Sequence, residues 1–297
     1  MQLENYLIKG LAYDNKVRVF LVENTELIKA ICGGPEVKSR LLKTALGTTV
    51  SAASLLTGTL KDRQRLSMKV RASYPDSKIF ADVDAYGNIR GYLSESVLHA
   101  PLEQWEGLTL SQWVGSKGCL QVIKDVGMHH TFTGITDMPY GNIVDDLVHY
   151  FKQSEQTSTC FAIQIDINKN NEILRSQGIM AQLLPGAPYH VIDDIRSILD
   201  LQPGLRSIPE PQTPESSRTF LSSLFKGIEF IGLQPIQAFC GCSKPMFYPM
   251  LLALGEDALK CTLKEEQSIE MVCHVCGIKY VFEHDEISRL CGGTIQG

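Results

Sequence analysis

The sequence predicts an α+β protein with three parts: a mixed, mostly antiparallel N-terminal domain, a helical linker and a small C-terminal domain. Segments that alternate apolar and polar residues, separated by turn signals, fill most of the first part. Amphipathic stretches then flank a proline-rich segment, and the final part contains two close pairs of cysteines. From these three observations we expect the parts to span 1–186, 187–234 and 235–297.

The composition is typical of a globular protein. The chain has 297 residues, 44% of them hydrophobic and 21% charged, which suffices for two domains with a substantial core. Its net charge of −5 argues against nucleic acid or an anionic membrane surface as the main partner. No apolar run approaches the length that crosses a bilayer. The start, Met1-Gln2-Leu3-Glu4-Asn5, lacks a basic region followed by an apolar core, so we expect no secretory signal and a cytoplasmic location.

The N-terminal domain is expected to begin with a hairpin and two helices. Tyr6 to Val22 predicts two strands around the turn signal Asp14-Asn15, followed by a short helix that stops at Gly33-Gly34. A longer helix over 37–60 follows. Its small residues leave open whether it packs in the core, which is the simpler interpretation, or contacts a second subunit. Its apolar residues recur at helical spacing: Leu42, Ala45, Leu46, Thr49, Ala53 and Leu56.

Strands are expected to dominate the rest of this domain. Leu66 to Ala72 alternates as a half-buried strand should, and Ile79 to Leu93 predicts a hairpin around Tyr86-Gly87-Asn88. An amphipathic helix is expected over 142–155, with the paired acids Asp145-Asp146 on its solvated face. Further strand segments are 119–124 and 131–138, and 161–167 and 173–184 predict another hairpin around Lys169-Asn170-Asn171.

The linker is predicted to contain two short helices, over 189–201 and 219–228. Between them, 202–217 carries four prolines, each of which resists helix formation. Short helices are marginal without tertiary packing, and exposed apolar faces promote aggregation. We therefore expect the N-terminal domain, the C-terminal domain or both to cover their apolar residues, which are Ile192, Ile195, Ile198, Leu199, Phe220, Leu224 and Phe225.

Two cysteine pairs carry the strongest chemical signal. Cys240-Gly241-Cys242 is followed, after thirty residues, by Cys273-His274-Val275-Cys276. Zn²⁺ prefers thiolate sulfur, and four sulfurs close a tetrahedral site that leaves no position for a substrate. Because two such pairs rarely arise by chance in one small segment, they predict one zinc ion per chain rather than four ordinary buried thiols. The metal would also staple a domain that is small for an independent core.

The remaining candidate residues give weaker signals. Nine cysteines are too sparse for a disulfide scaffold, which fits a reducing compartment. His274 and His284 lie near the pairs and could replace a ligand, although four thiolates suffice. No nucleophile elbow, nucleotide-binding loop or His-Glu-x-x-His motif is present, so we expect no enzyme. We expect the other cysteines to be small buried hydrophobes: Cys32, Cys119, Cys160, Cys261 and Cys291. Cys261 and Cys291 lie in the zinc segment, so either could instead be a spare thiol.

The cysteine spacing, at the C-terminal end of a chain of this length, resembles that of the redox-regulated heat-shock protein 33 family of bacterial zinc-binding holdase chaperones. Three further strings match the family in the same order: Gly10-Leu11-Ala12, Ser154-Glu155-Gln156 and the run from Gly178 to Gly186. The family usually has a proline soon after Ser-Glu-Gln, where this chain has Thr157-Ser158.

The resemblance implies a redox switch. In the reduced state the four thiolates hold zinc and the C-terminal domain is folded. Hypochlorite, or peroxide with heat, releases the metal as the disulfides Cys240–Cys242 and Cys273–Cys276 close within each pair. The linker then loosens, and exposed apolar surface binds unfolding client proteins. Active family members dimerise through the N-terminal domain, so the resemblance also implies a homodimer.

Two other classes of function stay open. A zinc-ribbon module could bind nucleic acid or a protein, but 235–297 carries five Lys and Arg against eight Asp and Glu, which disfavours phosphate. A thiol-disulfide oxidoreductase would use Cys273 and Cys276 as a catalytic pair at the start of a helix. Here 278–282 predicts a strand instead, which suits a zinc knuckle.

Overall fold

The computed structural model describes residues 3–34, 37–73, 77–127, 130–201, 213–265, 267–273, 275–276 and 278–292. The chain divides into two compact units, Met1–Phe239 and Cys240–Gly297. Helices occur together with mostly antiparallel strands, which confirms the predicted α+β class. The expected three-part division stays a prediction, and the boundary between the compact units lies directly before the first cysteine of the first pair.

The first unit includes the sequence of the expected N-terminal domain and linker. In chain order its strands and helices are β1 (Tyr6–Ala12), β2 (Val17–Glu23), α1 (Thr25–Cys32), α2 (Arg40–Leu56), β3 (Arg65–Arg71), β4 (Lys78–Asp84), β5 (Asn88–Leu93), α3 (Glu95–Leu98), α4 (Leu110–Val114), β6 (Cys119–Asp125), β7 (Thr131–Asp137), α5 (Ile143–Gln153), β8 (Thr159–Ile167), β9 (Ile173–Leu183), α6 (His190–Leu201), α7 (Pro214–Leu224), β10 (Glu229–Pro235) and β11 (Gln237–Ala238). Short 3₁₀ turns lie at Thr57–Thr59 and Leu102–Gln104.

The strands form two sheets. The five-stranded sheet has the order β10-β1-β2-β9-β8 and is antiparallel throughout. The six-stranded sheet has the order β11-β5-β4-β3-β6-β7, in which only β11 runs parallel to its neighbour among the described strands. All three predicted hairpins, β1–β2, β4–β5 and β8–β9, are confirmed. The edge strands β10 and β11 were not predicted.

Helix α2 lies between the two sheets. It contacts β2, β8 and β9 of one sheet and β3, β4 and β5 of the other. Its predicted apolar face is buried, and so are the small residues Ser51, Ala52 and Ser54. Core packing, the simpler of the two interpretations of this helix, is therefore confirmed.

Helix α5 begins with a polar arrangement that corrects one expectation. The Asn142 side chain caps the helix by accepting from the Val144 amide at 2.9 Å. Asp146 is fully buried rather than solvated. Its carboxylate accepts hydrogen bonds from the amides of Tyr140 and Asn142 at 3.0 and 2.9 Å, so it holds the loop that leads into its own helix.

Helices α6 and α7 pack on the face of the five-stranded sheet that is opposite to α2. Because side chains alternate along a strand, residues such as Ile8 and Leu21 point to α6 and α7 while Leu7 and Phe20 point to α2. The predicted apolar faces of both helices are buried there, with Ile198 and Leu199 partly buried. The sheet thus covers the linker helices. The remaining members of the cluster from these helices are Val191, Ile192, Ile195, Phe220, Leu221, Leu224 and Phe225.

Helix α7 begins earlier than predicted. Thr213 caps it in a capping box with Ser216, and Pro214 occupies the first helical position, where its missing amide costs nothing. Pro214 therefore starts a helix rather than breaking one. Most of the proline-rich stretch, 202–212, lies outside the described residues.

The second unit is small. It contains a 3₁₀ turn at Lys244–Phe247, followed by α8 (Tyr248–Ala253), α9 (Glu256–Lys264), the antiparallel pair β12 (Ile269–Val272) and β13 (Lys279–Phe282), and α10 (His284–Gly292). Across both units, no helix of the described residues is long and apolar enough to cross a membrane. The buried core of the second unit comprises Phe247, Leu251, Leu259, Cys273, Phe282 and Ile287.

Candidate metal centre

The first cysteine pair lies on a tight loop that directly follows β11. The Phe239 amide donates to the Ile89 carbonyl at 2.8 Å, and Cys240 is the next residue. Gly241 adopts a left-handed conformation with φ of 69°, which a residue with a Cβ adopts only with strain. Glycine at this position therefore allows the chain to turn between the two cysteines.

The second pair lies on the turn that joins β12 to β13. Val272 and Lys279 are the last paired residues of the hairpin, and the Cys273 amide donates to the Ile278 carbonyl at 2.9 Å. His274 and Gly277, within this turn, lie outside the described residues. A strand follows Cys276, as predicted, so the pair does not stand at the start of a helix as a thioredoxin-like catalytic pair would.

The structure brings the four sulfurs together. Cys240 Sγ lies 3.5 Å from Cys273 Sγ, Cys242 Sγ lies 3.3 Å from Cys276 Sγ, and all four lie within 4.8 Å of one another. A zinc ion with Zn–S bonds of about 2.3 Å separates its tetrahedral sulfurs by about 3.8 Å. The donor set and its spacing therefore fit a zinc ion. Within the described parts of the chain, this is the one group of three or more metal-ligating side chains at such distances.

Hydrogen-bond donors surround the sulfurs. Burial disfavours the Cys273 thiolate, but the backbone amides of Cys276 and Val275 and the neighbouring thiols outweigh it and lower the pKa of Cys273 to about 7. Burial and a thiol hydrogen bond donated to Cys273 raise the pKa of Cys240. Burial is also the largest cause that raises the pKa of Cys276 to about 11. The amide donors therefore favour the ionised form of Cys273, and a metal such as zinc binds cysteine as thiolate.

Tyr280 also contacts the cluster. Its hydroxyl lies 3.0 Å from Cys242 Sγ, and this hydrogen bond is the main reason that the pKa of Tyr280 is raised to about 12. A neutral phenol is a donor, so Tyr280 donates to the Cys242 sulfur. The sequence predicts a strand at Tyr280 but does not assign this residue to the site. Its position four residues after Cys276, on the strand that leaves the cysteine turn, is the signal that could have identified it.

An ion pair involves Lys244, close in sequence to the first cysteine pair. Lys244, two residues after Cys242, lies 2.5 Å from the Glu286 carboxylate and 5.1 Å from the centre of the Phe282 ring. The hydrogen bond from Lys244 lowers the pKa of Glu286. These contacts join the loop of the first pair to helix α10.

The other expected thiols and His284 lie outside the cluster. Cys32 and Cys160 are buried, as predicted, and burial raises the pKa of Cys32 to about 12. The expectation of burial is wrong for Cys261, which is exposed on α9, while Cys119 and Cys291 are half-buried. His284 begins α10 and lies beside Asp285 rather than with the sulfurs.

Comparison with known proteins identifies a family. The family model described as Hsp33 protein matches residues 5–283. The 33 kDa chaperonin of Listeria welshimeri serovar 6b is 32% identical over 290 residues, which cover 97% of this chain and 98% of the relative. The 33 kDa chaperonin of Bacillus velezensis is 31% identical over 292 residues, covering 96% and 98%.

A solved structure shows the same fold. The crystal structure of the 33 kDa chaperonin (heat shock protein 33 homolog) from Thermotoga maritima matches with a TM-score of 0.80 at 23% identity, covering 97% of this chain and 98% of that one. The resemblance that the cysteine spacing and the short strings indicated is thereby confirmed, and this chain belongs to the Hsp33 protein family.

Proposed function

We propose that this protein is a redox-regulated holdase chaperone that binds unfolding proteins under oxidative stress. It is inactive while reduced and zinc-bound, and it is activated by disulfide formation and zinc release. The observation that supports this proposal most directly is the cluster of four thiols within 4.8 Å of one another in a unit with a very small core. A domain of this kind depends on its metal for folding free energy, so losing the metal unfolds it.

The proposed ligands of the single zinc ion are Cys240, Cys242, Cys273 and Cys276. Bound zinc would cross-link the two cysteine turns and hold the sulfurs as thiolates. X-ray absorption on the reduced protein should show a first shell of sulfur alone, at one zinc per chain. The variant Cys273→Ser/Cys276→Ser should lose the metal, whereas the matched variant Cys261→Ser should retain it. Nitrogen or oxygen in the first shell, or zinc retention by the double variant, contradicts the assignment.

The proposed oxidation balances as two steps. A thiolate attacks one oxygen of peroxide, the O–O bond breaks, and hydroxide leaves with the bonding electrons to give a sulfenic acid. The other thiolate of the pair attacks that sulfur, the S–S bond forms, and a second hydroxide leaves. For each pair, two sulfurs are thus oxidised and one peroxide is reduced, so the two pairs together consume two peroxides. The products are Cys240–Cys242, whose small ring is readily reduced again, and Cys273–Cys276.

The proposed client-binding surface lies in the linker. Helices α6 and α7 cover one face of the five-stranded sheet with side chains such as Ile195 and Leu221, which are fully buried. If these helices detach, their apolar side chains and that sheet face become accessible together. Client proteins that expose apolar segments would bind there, and redocking of the helices would compete with them.

The remaining properties follow from the same proposal. We propose that the active form is a homodimer with contacts in 1–186, that it works in the cytoplasm and that neither nucleic acid nor membrane is a partner. A holdase needs no catalytic turnover, so we propose that the protein is not an enzyme. Light scattering of the oxidised protein at micromolar concentration should give twice the chain mass of 33.0 kDa.

One experiment tests the proposed function as a whole. Reduced, zinc-loaded protein is titrated with peroxide at elevated temperature, while a chromophoric chelator reports released zinc and light scattering reports aggregation of a denatured test protein. Suppression of aggregation should rise in step with zinc release and should disappear on re-reduction with zinc. Full suppression by the reduced protein, or zinc release without any gain in suppression, contradicts the proposal.

A further inference from the structure

We propose that the Tyr280 hydroxyl sets the rate at which peroxide oxidises Cys242, by donating a hydrogen bond that makes this sulfur less reactive. The inference rests on the proposed function, because it concerns the sensitivity of the same four-cysteine site. It assigns Tyr280 as a positioning and tuning residue of the switch, in addition to the four cysteines.

The contact is fixed by its surroundings. Tyr280 lies on β13 opposite Met271 of β12, and its hydroxyl lies 3.0 Å from Cys242 Sγ. Its ring centre lies 5.0 Å from that of Phe247, which is buried in the core of the second unit. The hydroxyl is therefore presented to the sulfur by a strand and an aromatic contact, and the two cysteine turns are linked by a side chain as well as by their sulfurs.

Cys242 accepts a hydrogen bond from a side chain. Backbone amides face three of the sulfurs: those of Cys242 toward Cys240, of Val275 and Cys276 toward Cys273, and of Ile278 toward Cys276. The Cys242 sulfur receives a side-chain hydroxyl. A backbone donor persists in every sequence that keeps the fold, but a side-chain donor can be removed by one substitution. The reactivity of Cys242 is therefore the one that residue 280 can adjust.

The direction of the effect follows from the chemistry of the attack. The thiolate uses a sulfur lone pair to attack one peroxide oxygen, the O–O bond breaks, and hydroxide leaves. A hydrogen bond withdraws electron density from that sulfur and is weakened as the sulfur loses its negative charge. The donor therefore stabilises the starting thiolate more than the transition state. Removing it should accelerate oxidation, by about three- to tenfold for a hydrogen bond to a charged group.

The main test compares two tyrosine-to-phenylalanine variants of the full chain. Tyr280→Phe removes the hydroxyl that contacts Cys242 Sγ but keeps the aromatic ring that contacts Phe247. Tyr248→Phe removes a hydroxyl from the same unit at a ring that contacts Phe282 instead, at 5.9 Å. Peroxide-driven zinc release is measured under pseudo-first-order conditions, and a sulfenic-acid trap with mass spectrometry identifies the cysteine that is modified first.

We expect Tyr280→Phe to release zinc about three- to tenfold faster than the wild-type protein and to shift early trapping toward Cys242. Tyr248→Phe should match the wild-type rate. The second readout is zinc release driven by a competing chelator without peroxide. If the substitution only weakened the structure of the site, this release would accelerate as much as the peroxide-driven release. The inference is overturned if Tyr280→Phe accelerates chelator-driven and peroxide-driven zinc release equally. It is also overturned if Tyr280→Phe and Tyr248→Phe release zinc at the same rate with peroxide.

A second substitution covers the case in which Tyr280→Phe does not retain zinc. Tyr280→3-fluorotyrosine keeps the ring and the hydroxyl but makes the phenol a stronger donor, so peroxide-driven release should become slower than in the wild-type protein. Unchanged or faster release overturns the inference. Failure of the wild-type protein itself to bind zinc would instead contradict the proposed function, so the two failures are distinguishable.

Discussion

Glu23 and Gln177 form a buried polar pair at the end of the five-stranded sheet, beside helix α1. Glu23 is 3% exposed and Gln177 is fully buried. The Glu23 carboxylate accepts from the Thr25 amide at 3.0 Å and from the Gln177 side-chain amide at 2.6 Å. Burial is the largest cause of the shift and raises the pKa of Glu23 above its ordinary value of 4.5, although these hydrogen bonds oppose it.

This raised pKa predicts a pH dependence of stability. The folded state holds the Glu23 proton more tightly than the unfolded chain does. Protonated Glu23 therefore contributes to the free energy of unfolding fully below pH 4.5, and this contribution is lost as the pH rises through the folded-state pKa. In the variant Glu23→Gln this decline should disappear. The measurement is the free energy of unfolding in urea for both proteins across this pH range. A difference between them that does not change with pH contradicts the prediction.

Single residues show what the sequence could and could not predict about the site. The four cysteines were identifiable because zinc ligation fixes both residue type and spacing. Tyr280 was not, because its role depends on the Cys242 sulfur, which is 38 residues away along the chain. Asp146 was misassigned for a similar reason: helical periodicity indicates a face, but not the backbone amides of Tyr140 and Asn142 that a preceding loop presents.

At the scale of elements, the segment before Cys240 is held by the turn between β4 and β5. The Gln237 amide donates to the Gly87 carbonyl at 2.9 Å, and the Gln234 side chain donates to the Ala85 carbonyl at 3.0 Å. Gly87 has a φ of 87°, and a Cβ there would lie 2.4 Å from the Pro235 carbonyl oxygen. Glycine is thus required for both the turn and the close approach of this segment.

The variant Gly87→Ala tests this contact. The positive φ alone should reduce the free energy of unfolding by about 1 kcal/mol, and the clash with Pro235 should bring the total above about 2 kcal/mol. Gly127→Ala is the matched control, because its φ of 81° is similar and its Cβ would meet nothing within 4 Å. Urea unfolding measures the reduction in the free energy of unfolding for each variant. Amide hydrogens at 235–239 should exchange faster in Gly87→Ala alone. Equal losses in the two variants contradict the role of the contact.

Helix α6 offers a second test at this scale. Ile195 is fully buried against the five-stranded sheet, whereas Tyr189, just before the helix, is 79% exposed. Ile195→Ala should weaken the docking of α6 by about 2–4 kcal/mol, since it removes buried methyl groups and leaves a cavity. The reduced, zinc-loaded variant should then suppress aggregation of a test protein without oxidant. The control variant Tyr189→Ala should remain inactive as a chaperone when it is reduced. If reduced Ile195→Ala is inactive although the amide hydrogens of α6 exchange fast, undocking of α6 does not activate the protein.

Elements were predicted best where one local pattern dominates. Alternation and turn residues gave the β1–β2 and β4–β5 hairpins, and helical spacing gave α2, α5 and α6. Strand β10 was missed because its seven residues include Gly232 and end at Pro235, both unusual in strands, and its pairing partner β1 lies more than 200 residues earlier. The packing of α6 and α7 on a sheet is likewise a tertiary property. The sequence therefore indicated that their apolar faces must be buried, but not that the five-stranded sheet buries them.

At the scale of the whole molecule, the two units differ in what stabilises them. The first has two sheets with α2 between them and α6 and α7 on a further face, and two large clusters of buried side chains form its core. The second has a buried core of few side chains that includes a proposed ligand, Cys273. Loss of zinc should therefore unfold the second unit while the sheets of the first remain folded.

The linker and the site are connected through the chain itself. The chain leads from α7 through β10 and β11 directly into Cys240.

Hydrogen exchange on the reduced, zinc-loaded protein and on the oxidised protein tests the central claim most directly, which is that the oxidation state of the cysteine site controls the linker. On oxidation, protection should fall in 235–290 and in 189–230, which contains α6 and α7, while 1–180 stays protected. The oxidised protein should bind a denatured client in the same samples. Unchanged protection of 189–230 in an oxidised protein with full chaperone activity would contradict the account.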